Sequence, residues 1–349
     1  MYAKLNTLLC NLDAVLITSP HNMRYFSGFS GGEGAVLILS GERCLFTDSR
    51  YTEAAEREAP DFEIIETNSY IASACEKLKA FGASSVAIED LYMSVRSLSE
   101  AKKVLGSIET VMSSNDIEAL RMVKTDAELE KMQKAQQIAA SAFRHTLKFI
   151  KAGISERDIA LEMEYCMRKA GAEGVSFETI AVSGKNSSLP HGTPSAKHIE
   201  NGDFLTIDFG CKFGGYCSDM TRTVVVGKAS AKQREIYETV KKAQQAGLEA
   251  IREGVLASSC DKAARQVIEN AGYGKYFGHS LGHGVGLLIH ELPNLSPRCN
   301  ITLLENMTVT CEPGIYIPDF GGVRIEDMVC VKKGGLHNFT DETHDLIEL

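Results

Sequence analysis

The segment IDFGCKFGGYCSD, residues 207–219, carries a carboxylate near each end. Folded as a hairpin with Phe213 and Gly214 at its tip, it sets Asp208 opposite Asp219, and like charges facing each other across a strand pair repel. Leu205, Ile207 and Phe209 alternate with Thr206 and Asp208 along the first arm, while Asp219, Thr221 and Thr223 share one face of the second. The apolar face belongs to a core, and both aspartates point away from it. A pair with Arg222, or exposure to solvent, explains Asp219 taken alone. It does not explain Asp208, which interrupts the interior-type run FLTIDFG. An ionised carboxylate there needs a cation or a proton. Two such groups can share one proton, or they can hold metal.

Two later segments add groups of the same kind. FGHSLGHGVGLLIHELP, residues 277–293, sets His279, His283 and His290 among glycines, which let a backbone approach a ligand closely. Gly282, Gly284 and Gly286 lack the spacing of a dinucleotide fingerprint. In MTVTCEPGIYIPDFGGVRIEDMVCV, residues 307–331, Thr308, Thr310 and Glu312 alternate with Met307, Val309 and Cys311, and Arg324 and Glu326 alternate with Val323 and Ile325. A salt bridge from Glu326 to Arg324 on a neighbouring strand explains either acid by itself. Four carboxylates beside a histidine cluster call for more. Carboxylate oxygens with one imidazole suit a pair of divalent ions such as manganese, cobalt, iron or zinc. Two such ions about 3.5–4 Å apart can share a hydroxide and polarise a carbonyl. Cys211 and Cys217 flank the hairpin turn, but one cysteine pair without partners is a weak thiolate site.

The elements that must carry these residues follow from periodicity. β-rich runs at 13–18, 35–39, 43–47, 62–66 and 84–89 are separated by helical patterns near 51–58, 70–81 and 97–105, which predicts an α/β domain over residues 1–120. Thr125 and Glu128 then form a capping-box start, and Gly153 a stop, for a long helix opening a second domain over 121–349. A helix over 155–170 and strands near 179–183, 203–210 and 215–226 follow it. Helices over 230–252 and 258–271 and strands near 307–312, 315–318 and 322–331 repeat that order, which predicts a pseudo-two-fold α+β domain.

Length and composition bound the rest. The 349 residues exceed one ordinary core, and 44% apolar with 24% charged residues is globular composition. A net charge of -9 without a Lys/Arg-rich run excludes a nucleic-acid footprint. No apolar stretch is long enough to predict a membrane span, and the start MYAKLNTLLCNLDAVLITS lacks a leader pattern, so the cytoplasm is the expected address. Ten cysteines without a Cys-x-x-Cys pair read as reduced packing residues.

Taken together, LPHGTPS (189–195), GDFLTIDFG (202–210), GYCSDMTRT (215–223), GHSLGHGVGLLIHELP (278–293), TVTCEPGIY (308–316) and GVRIEDMV (322–329) resemble the Xaa-Pro peptidases, prolidase and aminopeptidase P, of the pita-bread metallopeptidase group. NMRYFSGFSGGEGAVLIL (22–39) and TDSRY (47–51) extend the resemblance to the creatinase/prolidase-type leading domain. Leu288 departs from it, standing where many relatives carry an acid.

The resemblance implies a dinuclear metallopeptidase that hydrolyses the bond before a proline in the second position, as an aminopeptidase or a dipeptidase. It implies the metal ligands Asp208, Asp219, His283, Glu312 and Glu326, with manganese foremost among cobalt, zinc and iron. Glu312 becomes a general base, His191 and His290 stabilise the reacting carbonyl, and His279 and Arg324 contact the prolyl side of a proline-containing peptide. A homodimer is implied too, in which Asp48, Arg50 and Tyr51 either reach a partner's site or cap the helix at 51–58. Two alternatives stand beside this: a catalytically silent pita-bread scaffold that binds a protein partner, and methionine-aminopeptidase-like specificity.

Overall fold

The computed structural model describes Leu9 and residues 11–349, so Cys10 and residues 1–8 of the stretch read for a leader lie outside the described residues. The chain divides into two compact units at Arg121/Met122.

The first unit is built on β1 (Ala14–Ile17), β2 (Ala35–Leu39), β3 (Arg43–Thr47), β4 (Glu63–Glu66), β5 (Ser85–Ile88) and β6 (Glu109–Met112), in the sheet order β4-β3-β2-β1-β5-β6. The centre of this sheet is buried on both faces. Ala14, Leu16, Leu37 and Phe46 enter one apolar cluster, while Val15, Ile17, Val36 and Leu45 enter another. That is why these strands read as continuous apolar runs, not as alternation. Helices α1 (Pro20–Ser27), α2 (Thr52–Glu58), α3 (Tyr70–Phe81), α4 (Val95–Leu105) and α5 (Ser114–Met122) accompany it among the described residues. The sequence reading missed β6, α1 and α5, where apolar residues are too few to set a period. α1 is anchored from a distance: the buried Glu89 carboxylate accepts from the Ser19 backbone N–H at 2.8 Å and from Asn22 Nδ2 at 2.6 Å, against the positive end of the helix. Asp48 accepts from the Arg50 backbone N–H at 2.9 Å and from its guanidinium, but no side chain caps α2, whose N-cap residue is Tyr51, so the capping reading does not hold.

The second unit repeats one pattern twice. α6 (Asp126–Phe149) starts on a full Thr125/Glu128 capping box, and α8 (Ala231–Ala250) on a matching Ser230/Gln233 box. α7 (Glu156–Lys169) and α9 (Ala257–Asn270) follow them. The strands are β7 (Gly174–Val175), β8 (Ile180–Ser183), β9 (Phe204–Phe209), β10 (Cys211–Phe213), β11 (Tyr216–Cys217), β12 (Met220–Val225), β13 (Gly282–Gly284), β14 (Glu291–Leu295), β15 (Thr308–Cys311), β16 (Gly314–Ile317), β17 (Gly321–Arg324), β18 (Glu326–Lys332) and β19 (Gly335–Asn338). The main sheet runs β14-β13-β15-β18-β12-β9-β8, with β19 paired to β18. β12 and β18 meet at its centre, so β8-β9-β12 and β13-β15-β18 are equivalent halves. α6 and α7 share an apolar cluster with β9 and β12, and α8 and α9 with β15 and β18.

The hairpin register differs from the expected one. Thr221, not Asp219, is the partner of Asp208, and Phe213 pairs with Tyr216. The tip is Gly214-Gly215, with φ of 57° and 83°, a two-residue turn that only left-handed residues close without strain. The shift is two residues, so Asp219 keeps its face. The expected strand over 322–331 is also divided. β17 leaves the main sheet to pair with β16, and β18 starts at Glu326.

Candidate metal centre

Thr221 sits at the middle of the site, opposite Asp208 on β9 and opposite Glu326 on β18. Its hydroxyl donates to Glu326 Oε2 at 2.6 Å and accepts from Arg324 Nε at 3.0 Å. Asp219 lies one residue before β12 and Glu326 opens β18; the two are 3% and 1% exposed. Glu312 follows β15, held by its backbone N–H on the Leu281 carbonyl at 2.8 Å and by the Thr310 hydroxyl at 3.1 Å.

His283 comes in on β13 between two glycines at which a Cβ would overlap the Thr310 and Leu292 carbonyls. Its Nδ1 faces the Gly284 carbonyl at 3.1 Å, and a carbonyl can only accept, so Nδ1 carries the proton and Nε2 points at the acids. Nε2 is 3.3 Å from Glu312 Oε1 and 3.6 Å from Asp219 Oδ2. Donor atoms of Asp219, His283 and Glu326 all lie within 4.8 Å of one another.

Charge is concentrated here without internal balance. Burial, then Glu326, Asp208 and Glu312, push the Asp219 carboxyl well above its ordinary range. Burial, with Glu312 and Asp208 beside it, does the same to Glu326. Asp208 is raised by burial although Arg324 opposes the shift. Burial works against the charge of Glu312 as well, yet the hydrogen bond and charge of His283 outweigh it and hold the carboxyl at about 2. Burial would neutralise His283, and Glu312 reverses that and raises it. Asp208 Oδ2 receives Arg324 Nη2 at 2.6 Å, but Asp208 Oδ1 is buried with no hydrogen-bond partner. An orphaned carboxylate oxygen among three further acids, beside an imidazole whose Nε2 faces them and would bind metal once it gives up its proton, fits hard or borderline divalent cations.

Several sequence readings are revised. Arg222 does not pair with Asp219; its guanidinium donates to Asp327 at 2.8 Å and to main-chain carbonyls. Arg324 bonds Asp208 and not Glu326. Cys211 and Cys217 are buried, with their sulfurs against the Ala135 and Leu287 carbonyls. Gly278-His279-Ser280-Leu281-Gly282 has Gly-x-Ser-x-Gly spacing but is no nucleophile elbow, because the stretch runs into β13 instead of turning from strand to helix.

The metal-ligand candidates open into a cavity of about 640 Å³, lined also by His191, His279, His290 and Arg324. His290 stands edge-on to His283, with ring centroids 4.4 Å apart, and burial lowers its pKa. His279 donates Nδ1–H to the Ser280 carbonyl at 2.8 Å, and its Nε2 meets Tyr316 Oη at 3.0 Å. Tyr316 Oη also accepts from Arg324 Nη1 at 2.9 Å, so its own proton goes to His279. Tyr316 and Thr221 thus tie the site together, and the motifs gave no hint of either role.

Glu156 was missed as well. Fully buried at the start of α7, it accepts from Ser183 N at 2.7 Å, Asn186 Nδ2 at 3.1 Å and Ser195 Oγ at 2.6 Å. It therefore clamps both ends of the loop that carries His191. Nothing in the local sequence of α7 signals this, because every partner lies more than 25 residues away.

Residues 130–333 match the model of metallopeptidase family M24, and residues 9–123 match the creatinase/prolidase N-terminal domain. The chain belongs to metallopeptidase family M24. A Xaa-Pro dipeptidase of Pyrococcus furiosus is 40% identical to this M24 peptidase over 97% of this chain and 96% of the relative. Among solved structures, a Xaa-Pro dipeptidase from Bacillus anthracis superposes with a TM-score of 0.96 at 42% identity, covering 100% of this chain and 99% of that one. A Thermotoga maritima X-Pro aminopeptidase superposes at 0.92 with 38% identity, covering 99% and 100%. Neither the scaffold alternative nor methionine-aminopeptidase-like specificity gains support from these matches. Among the described residues, no helix of this M24 peptidase is long and apolar enough to cross a membrane.

Proposed function

We propose that this M24 peptidase hydrolyses the bond between an N-terminal residue and a following proline, using two divalent ions. The observation that carries the proposal is the partnerless, buried Oδ1 of Asp208 beside Asp219, Glu312, Glu326 and the Nε2 of His283. Those five residues would hold the ions. When bound, the ions supply a water of lowered pKa and polarise the scissile carbonyl.

The chain's own groups do the rest. Glu312, ionised at neutral pH, accepts the proton of the attacking water and returns it to the leaving nitrogen. His290 and His191, both on the cavity wall, donate N–H to the carbonyl oxygen as negative charge develops there. Arg324 and Tyr316 orient Asp208 and His279 on the prolyl side. Manganese as the resident ion and a homodimer belong to the same proposal, and both rest on the motif resemblance.

The test is hydrolysis of Xaa-Pro peptides by protein stripped of metal and then reconstituted with manganese, cobalt or zinc. Activity should require metal and vanish in Asp219→Ala. Full activity in the stripped protein would refute the proposal.

A further inference from the structure

The proline of a Xaa-Pro dipeptide bears a free carboxylate one atom from the scissile nitrogen, so productive binding draws that charge into the cavity. In a longer peptide the same position is a neutral amide. A buried carboxylate needs a cationic partner, whereas an amide needs only hydrogen-bonding groups.

Among the described residues lining the cavity, Arg324 is the only lysine or arginine, and its guanidinium is already engaged. Nη2 holds Asp208 at 2.6 Å, Nη1 holds Tyr316 Oη at 2.9 Å and the Pro190 carbonyl at 3.2 Å, and Nε holds Thr221 Oγ1 at 3.0 Å. Turning it toward a substrate carboxylate would strip a second oxygen of Asp208 of its partner. Both ring nitrogens of His279 are likewise occupied. Beyond the metal-ligand candidates, the other carboxylate on the wall is Glu178, an exposed residue whose charge repels a substrate carboxylate. Asn294 and Thr193 also face the cavity, and their uncharged donors and acceptors suit a continuing peptide backbone. A cavity of about 640 Å³ lies mid-range for sites that take drug-sized ligands and leaves room for chain beyond the proline.

We infer that the preferred substrates are peptides extending beyond the proline, so that the protein is an aminopeptidase before it is a dipeptidase. This rests on the Xaa-Pro reading above, and one experiment separates the two. Manganese-reconstituted protein is assayed with Ala-Pro, with Ala-Pro amide and with Ala-Pro-Ala. The amide differs from the dipeptide only by the missing charge. Its kcat/KM, and that of the tripeptide, should exceed that of Ala-Pro by about tenfold, the effect of one inadequately compensated charge. Glu178→Lys should narrow the gap by raising Ala-Pro hydrolysis. Ala-Pro cleaved as well as its amide, or a gap that Glu178→Lys leaves unchanged, would overturn the inference while leaving Xaa-Pro specificity intact. Cleavage of none of the three would overturn the Xaa-Pro reading itself.

Discussion

Asp219→Asn tests whether the acid cluster is built for cations or for the fold. The substitution keeps shape and volume and removes one charge. Donor atoms of Asp219 and Glu326 lie within 4.8 Å. At that separation and an effective dielectric of about 20, two carboxylates repel by about 3.5 kcal/mol. Attraction to His283, 3.6 Å from Asp219, offsets part of this. In the presence of a chelator the variant should therefore be more stable than the parent by about 1–2 kcal/mol, or about 2–8 °C in Tm for a unit of this size. Manganese reverses the order. At one hundred times its Kd a single bound ion stabilises the native state by about 2.7 kcal/mol, which the parent should show and the variant should largely lose. Thermal melts in EDTA and in manganese, with metal content measured on the same samples, give both numbers. A variant that melts below the parent in EDTA and still gains the full shift in manganese would refute the reasoning, because Asp219 would then be a structural acid and no ligand.

Two further outcomes follow from buried acids outside the cluster. Glu156→Gln removes a charged acceptor that Ser183, Asn186 and Ser195 share, and should cost about 1.5–3 kcal/mol in urea unfolding. Because the clamped loop carries His191, kcat/KM should fall while metal content stays at the parent level; normal kinetics would show that the loop keeps its place without the clamp. Arg222→Met leaves Asp327 buried without the guanidinium 2.8 Å away and should cost about 3 kcal/mol. The double variant R222M/D327N should recover part of that loss, since a lone buried charge is worse than none. A single-variant loss below about 1 kcal/mol would mean that Gln244, Asn338 and His344, which also hold Asp327, suffice.

Much of the catalytic unit was legible because its elements are long and locally signalled. The Thr125/Glu128 box, the helices after it and the alternation around Asp208 all express local rules of capping and period. The first unit was read less fully. Its central strands stood out as apolar runs, whereas β6 and α1 are short, and α1 takes its cap from Glu89, about 70 residues downstream. The hairpin register was misplaced by two residues: Gly214-Gly215, and not Phe213-Gly214, can take two positive φ angles without strain, so the residue types themselves favoured the observed tip.

The sequence by itself set out the candidate donors, the carboxylate and imidazole side chains proposed as ligands, and the strand face on which the strand residues among them stand, since a side-chain period of two admits no other choice. It could not determine who meets whom. That Thr221 lies between two acids is decided where β9, β12 and β18 come side by side, and that Arg324 bonds Asp208 and not Glu326, leaving Asp208 Oδ1 without a partner, where β17 packs over them. Contacts between residues a hundred positions apart depend on the register and twist of a finished sheet, and no local rule contains that information.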